Sequence, residues 1–355
     1  MSLMIKSKIK DYSVFFENGA AFLDKLKQKP NTIFIIDENV YRLHKKLFEG
    51  INPIILEIAE EKKSLESVTF LYDKIMEFGA KKNINIVSVG GGITQDITGF
   101  VTDSLYRGVN WIFAPTTLLA QCDSCIGSKT SLNYKKYKNL IGTFYPPSEI
   151  YILTDFLDTL TEEDYYSGIG ETAKLFIMAG EKDCADFISY LPALASRDKK
   201  TLLKCIQRCM AIKKTYIEQD EFDVGIRNML NYGHCLGHAL EFSTQYAVPH
   251  GQAVVAGMIL ANLIAVDRGV LSAERELFLR EKVLIPILKT DLSKQKIKAD
   301  DILAALKQDK KRTGAGLPLI MVDSNYKMVK VLDVTPQEVL TALKKGTDFL
   351  KWQIS

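Results

Sequence analysis

Only four histidines occur in the 355 residues, and three fall close together, at His234, His238 and His250. His234 and His238 are four apart in Asn231-Tyr-Gly-His234-Cys-Leu-Gly-His238-Ala-Leu-Glu241, so on a helix both rings leave one face. Gly233 and Gly237 each precede a histidine and leave that face open to a ligand or to backbone. His250 sits in a loop that enters an apolar helical run. Two neutral imidazoles, one carboxylate and an open position form a catalytic zinc set. A lone histidine is more often a hydrogen-bonded core residue. Three at this density, with glycine relief, favour a metal, since imidazole is the commonest metal ligand.

A second constellation is Gly168-Ile-Gly-Glu171-Thr-Ala-Lys174, where Glu171 and Lys174 share a helix face. An exposed pair would contribute at most about 0.5 kcal/mol. The flanking glycines and the apolar Leu175-Phe-Ile-Met178 instead predict a buried face, and a buried carboxylate needs a metal or another cation. Gly90-Gly91-Gly92 follows a β-branched run at once and precedes a helix expected from near Thr94. Strand, glycine turn and helix form the first half of a nucleotide-binding βαβ unit, with backbone N–H groups free to approach a pyrophosphate. The pattern runs Gly-Gly-Gly-x-x-x-Asp96, so it is not the G-x-G-x-x-G fingerprint. Asp123-Ser-Cys-Ile-Gly-Ser-Lys129-Thr130 is a small-residue turn able to cradle phosphate, without P-loop spacing. Cys122 and Cys125 have C-x-x-C spacing, but no second such pair exists, and redox chemistry is the weaker reading. Lys135 and Lys136 read as a solvated basic face.

The elements that must position these residues divide in two. Residues 31–37, 51–58, 84–89, 111–114 and 150–153 read as short buried parallel strands, and Ser64–Gly79 as an amphipathic helix capped by Ser64. Past Pro146-Pro147 the pattern turns helical to about residue 312, then to a hairpin through Asp323-Ser-Asn and a helix from Pro336. The expected organisation is an α/β nucleotide-binding domain at 1–154 and a mainly α-helical metal- and substrate-binding domain at 155–355. The formal net charge of +3, from 46 basic and 43 acidic residues, argues against a nucleic-acid surface. The apolar run near Ala253–Ala265 is broken by Gly257 and Asn262 and falls short of a membrane span. The N-terminus carries no apolar signal core, so the cytoplasm is the expected location. Six scattered cysteines do not make a disulfide framework.

Taken together, these spaced motifs resemble the 3-dehydroquinate synthases, of the sugar-phosphate cyclase superfamily, from about residue 30 to about 315. The resemblance implies an NAD-binding α/β domain, a helical metal domain and a homodimer with the site in the cleft. It implies that Glu171, His234 and His250 ligate Zn2+ or Co2+. Gly90, Gly91, Gly92 and Asp96 would bind NAD, with Asp37, Glu60, Lys63, Thr116, Thr117, Lys129 and Lys138 contributing. Asp123, Lys129, Asn139, Lys174, Lys213, Arg227, Asn231 and His238 would surround a small anionic sugar phosphate. Arg107 would reach the neighbouring subunit's site, and a lysine of the pair Lys310 and Lys311 would close over the substrate. The implied reaction is transient oxidation by NAD, phosphate elimination, re-reduction, ring opening and aldol closure. The lysines and the bidentate Arg227 suit the carboxylate and phosphate of such a substrate.

The chain departs from the family pattern at several positions. Gly127-Ser128-Lys129 stands for Gly-Gly-Lys, Gly168-Ile-Gly-Glu171-Thr-Ala-Lys174 for Gly-Leu-Ala-Glu-Val-Ile-Lys, Ala59-Glu60 for Gly-Glu, and His250-Gly-Gln252 for His-Gly-Glu. Ser128 and Gln252 are expected to border the site and reshape the pocket. Two alternatives therefore stay open. One is a sister cyclase of the 2-deoxy-scyllo-inosose or 2-epi-5-epi-valiolone synthase type. The other is a metal-dependent polyol dehydrogenase.

Overall fold

The structure is a computed structural model that describes residues 2–135, 137–307 and 316–354. Lys310, with Lys311, lies outside the described residues. The chain divides into two compact units, Met1–Leu160 with Lys213–Asp223, and Thr161–Ile212 with Val224–Ser355. The first unit thus runs slightly past residue 154 and takes back a later segment.

The first unit is built on a seven-stranded sheet. Its strands are β1 (Ser2–Ile5), β2 (Tyr12–Glu17), β3 (Thr32–Asp37), β4 (Ile54–Leu56), β5 (Asn85–Gly90), β6 (Asn110–Pro115) and, after a hairpin of β7 (Lys129–Tyr134) and β8 (Tyr137–Phe144), β9 (Glu149–Leu153). The order is β1-β2-β9-β6-β5-β3-β4, parallel throughout except for β1. Ile35, Ile36, Val87, Val89 and Ile112 are fully buried, because helices cover both faces of a parallel sheet. The run 51–58 forms strand only at Ile54–Leu56. β1 and β2 are absent from the sequence reading, although Tyr12–Glu17 alternates buried and half-buried positions with period two. Helices α1 (Ala21–Lys27), α2 (Glu38–Leu43), α3 (Leu65–Glu77) and α4 (Gly92–Ser104) follow β2, β3, β4 and β5. Ser64 occupies the N-cap of α3 but makes no side-chain capping bond. Of the expected phosphate turn Asp123–Thr130 only the last two residues enter the antiparallel hairpin β7–β8; of the expected basic face, Lys135 follows β7 and Lys136 lies outside the described residues.

The second unit is mainly helical. It contains α5 (Glu162–Met178), α6 (Glu181–Ala195), the greater part of α7 (Lys199–Ile217), α8 (His234–Ser243) and α9 (His250–Asp267). The hairpin Leu317–Val322 with Met328–Val334 and the closing helix Pro336–Leu350 complete it. Helix α9 is apolar all round and buried along nearly its whole length, as the central helix of a core must be. It is 18 residues long and apolar enough to cross a membrane by composition, yet 78% of it is buried inside the protein. Its Asn262 accepts a hydrogen bond from the Tyr232 hydroxyl at 2.7 Å.

Glycines let backbones meet α9. A Cβ on Gly251 would lie 1.8 Å from the Ser167 carbonyl oxygen, and one on Gly170 would lie 2.4 Å from that of Gly251, so α5 and α9 cross backbone to backbone. A Cβ on Gly237 would lie 3.0 Å from the Ala253 carbonyl oxygen, and one on Gly233 2.7 Å from that of Val254. The open faces beside His234 and His238 therefore admit a packed helix, not a ligand.

Candidate active site

In the second unit, these crossings bring three elements to one point. Glu171 on α5 is 1% exposed. His234 opens α8 and His250 opens α9. The Nε2 atoms of His234 and His250 lie 3.4 and 3.2 Å from Glu171 Oε1. The ligand atoms of the three side chains lie within 4.8 Å of one another.

The opposite ring nitrogens fix the tautomers. His234 Nδ1 is 3.2 Å from the Tyr232 carbonyl oxygen, and His250 Nδ1 is 3.2 Å from Glu241 Oε2. A carbonyl and a carboxylate only accept, so both Nδ1 atoms carry protons. Burial and the nearby Lys174 ammonium hold the His234 pKa below its ordinary value, which keeps that ring neutral. Its Nε2 then points a lone pair at a carboxylate oxygen, a repulsive contact unless a cation lies between them. Both Glu171 oxygens are buried without a well-formed hydrogen bond, although the Lys174 ammonium touches Oε2. Burial pushes the Glu171 carboxyl up, but the Lys174 ammonium outweighs it and holds it well below the usual range. Two imidazole nitrogens and an ionised, under-satisfied carboxylate fit a divalent metal of the zinc type. Burial lowers the His250 pKa, but Glu171 and Glu241 outweigh it and carry the metal-free ring up to about 10.

Around this set, Lys174 is 2% exposed, and its ammonium can reach Glu171 only because α5 places them three apart. His238 stacks on His250 with ring centroids 5.5 Å apart, and meets the edge of His234 at 5.4 Å. Arg227 is buried on a short 3-10 turn, and Asn231 donates its amide back to the Asn228 carbonyl at 2.9 Å. Gln252 does not border a pocket, contrary to expectation. It is fully buried, donates to the Tyr166 and Ile287 carbonyls at 2.9 and 3.2 Å, and accepts from the Lys289 and Thr290 amides at 2.7 and 3.2 Å. All four hydrogen-bonding positions of the amide are used. Thr172 likewise turns inward and donates to the Gly168 carbonyl at 3.0 Å. Sequence reasoning gave Glu241 no role. Its signal was the spacing of three from His238, which puts it on the same helix face.

In the first unit, the glycine turn lies at the carboxyl ends of adjacent parallel strands, where α/β sheets bind ligands. A Cβ on Gly90 would lie 2.3 Å from Thr94 Oγ1, and one on Gly91 2.9 Å from Thr117 Cγ2, so this cradle closes with any side chain. The Thr116 amide donates to the Gly90 carbonyl at 2.9 Å. Asp37 caps α2, accepting from the Asn39 and Val40 amides at 2.8 and 3.2 Å. Asp96 pairs with Lys63 at 2.5 Å and accepts from the Ser131 amide and hydroxyl at 3.0 Å each. Burial pushes the Asp96 carboxyl up, against the pull of Lys63. Asn139, expected beside the substrate, accepts from Lys63 at 2.7 Å and from the Ser131 hydroxyl at 2.9 Å. Lys138 pairs with Glu60 at 3.4 Å.

Asp123 sits on a π-helical turn, Ala120–Ser124, a distortion often found at functional sites. The Lys213 ammonium touches its carboxylate and donates to its carbonyl at 2.6 Å. Lys129 is exposed and pairs with Asp223 at 2.6 Å. Ser128 has φ +65, which explains why glycine suits that position. Its hydroxyl donates to the buried Glu221 at 3.0 Å, and Glu221 also accepts from the Ser7 hydroxyl and the Lys8 amide at 2.6 Å each. Cys122 and Cys125 are buried and unbridged, and burial pushes the Cys125 thiol up, away from the reactive thiolate. Arg107 is exposed, in the left-handed region at φ +60.

The fold is that of the sugar-phosphate cyclases. A 2-deoxy-scyllo-inosose synthase complexed with carbaglucose-6-phosphate, NAD+ and Co2+ superposes with a TM-score of 0.85, at 24% identity over 98% of this chain and 100% of that one. The 2-epi-5-epi-valiolone synthase of Streptomyces hygroscopicus subsp. jinggangensis, with NAD+ and Zn2+ bound, gives 0.82 at 22% identity over 97% and 98%. Family models described as 3-dehydroquinate synthase N-terminal and 3-dehydroquinate synthase C-terminal match residues 53–167 and 168–312. A 3-dehydroquinate synthase of Clostridium tetani is 33% identical over 336 residues, 92% of this chain and 88% of that protein. The chain belongs to the 3-dehydroquinate synthase family.

Proposed function

We propose that this chain catalyses the 3-dehydroquinate synthase reaction. It converts a seven-carbon 3-deoxy-heptulosonate 7-phosphate to 3-dehydroquinate and phosphate, with NAD and a divalent metal, zinc or cobalt, as catalysts. The observation that carries this reading is the set of buried Glu171 with half-buried His234 and His250, and Lys174 against it, in a chain of that family. We place the reaction in the cytoplasm and in a homodimer, with the exposed Arg107 reaching the neighbouring subunit's site.

When bound, the metal polarises a substrate hydroxyl as a Lewis acid while NAD accepts and returns one hydride. The chain's own residues do the rest. Glu171, His234 and His250 hold the cation. Lys174 keeps Glu171 ionised and adds positive charge where the hydroxyl proton must leave. In the second unit, buried Arg227 offers a fork to a carboxylate and Asn231 a further donor; in the first, Lys129 and Lys213 are cations suited to an anionic group. In the first unit, Gly91 and Gly92 give a pyrophosphate close access to backbone, and Asp96, Lys63, Asn139 and Lys138 line the same region.

The test is phosphate release from the seven-carbon substrate. Release should require both zinc and NAD and leave NADH below stoichiometric amounts. No turnover with both cofactors present rejects the reading. Turnover of glucose 6-phosphate or sedoheptulose 7-phosphate in its place would assign a sister cyclase, and stoichiometric NADH a dehydrogenase. His234→Ala should lose metal and activity together, whereas Lys174→Ala should lose activity and keep metal; metal analysis of both variants separates ligand from neighbour.

A further inference from the structure

We propose that Glu241 is a positioning residue that sets the metal affinity of His250. The inference rests on the metal reading above. Glu241 is 6% exposed, and its Oε2 lies 3.2 Å from His250 Nδ1. An ionised carboxylate only accepts, so this contact keeps the proton on Nδ1 and turns Nε2 toward Glu171 Oε1, 3.2 Å away. His234 obtains the same orientation from the Tyr232 carbonyl, a neutral acceptor. The two imidazoles are therefore unequal. His250 has a charged hydrogen-bond partner, which makes its Nε2 the stronger donor to a cation.

The arrangement also couples the ligands through one element. Helix α8 begins with His234, a ligand, and carries Glu241 two turns on, the anchor of the other histidine. Any rotation of α8 displaces both. One competing role is built from the same atoms. His238, Glu241 and His250 place ligand atoms within 4.8 Å of one another, so an outer cation there would make Glu241 a ligand itself.

The experiment measures zinc per chain, zinc affinity by chelator competition, the absorption spectrum of the cobalt form and the thermal midpoint. The full-length proteins are wild type, Glu241→Gln, Glu241→Ala and His234→Ala. Glu241→Gln can still accept from Nδ1–H but carries no charge. It should lower zinc affinity by about 10- to 100-fold, keep one site per chain and shift the cobalt spectrum. Glu241→Ala should lose more, and if it does not fold, the isosteric Glu241→Gln carries the test alone. Zinc affinity of Glu241→Gln within about two-fold of wild type, with His234→Ala devoid of zinc, overturns the proposal. Two zinc ions per wild-type chain, falling to one in Glu241→Gln, also overturns it, by making Glu241 a ligand. Retention of zinc by His234→Ala refutes instead the metal assignment beneath it.

Discussion

Gln252 shows how much one atom decides. Its Nε2 faces two carbonyl oxygens, and its Oε1 faces two amides. The carboxylate found there in the usual family pattern would put an acceptor against acceptors. Gln252→Glu should therefore cost roughly 1–3 kcal/mol of stability and leave substrate KM unchanged, read by denaturant unfolding and steady-state kinetics. A change in KM at unchanged stability would return Gln252 to the pocket. The departure at 252 is thus no argument for a different substrate. His250 carries a second expectation at this scale. In the metal-free site its pKa rises to about 10, because Glu171 and Glu241 outweigh burial. The ring is then charged at neutral pH and must lose a proton to bind metal. Zinc affinity should rise with pH through neutrality toward about 10, with proton release on binding. Calorimetry in buffers of different ionisation enthalpy would check this; pH-independent affinity would contradict it.

Among the elements, the crossing of α5 and α9 is the one the site depends on. The Gly251 amide donates to the Ser167 hydroxyl at 2.9 Å, and no Cβ fits at Gly251 without moving the Ser167 backbone. Glu171 lies one turn from Ser167, and His250 is next to Gly251, so the crossing sets the distance between two of the proposed ligands. Gly251→Ala should displace α9, cost roughly 3 kcal/mol or more and lower zinc occupancy. Thermal melting and metal analysis of the variant would show both effects together. Normal zinc content in a destabilised variant would mean that the ligands are held by something other than this crossing. Gly170 has the same function from the other side, which accounts for glycine where the family usually has alanine.

For the molecule as a whole, the metal set belongs to the second unit, where it joins α5, α8 and α9. A ligand that binds only the folded state stabilises by mass action. Chelation should lower the thermal midpoint, and zinc at a hundred-fold excess over its Kd should restore about 2.7 kcal/mol. Calorimetry with and without chelator measures this, and an unchanged midpoint would argue against a metal site that joins helices.

The sequence by itself determined what depends on neighbours along the chain. Short apolar β-branched runs placed β3, β5, β6 and β9, and a period-3.6 pattern placed α3, because apolar runs and helical faces are local properties. Clustered histidines and the Glu171-x-x-Lys174 spacing pointed to the proposed metal side chains for the same reason. Short edge strands such as β1 bury too little surface to leave a strong pattern, and went unread. Tertiary structure alone decided what depends on residues far apart in sequence. It turned Gly233 and Gly237 toward α9, set Asn139 against Lys63, took Gln252 out of the pocket and returned Lys213–Asp223 to the first unit. It also set Glu241 behind His250. Such contacts come from packing and hydrogen-bond satisfaction between separate elements, which local periodicity does not encode.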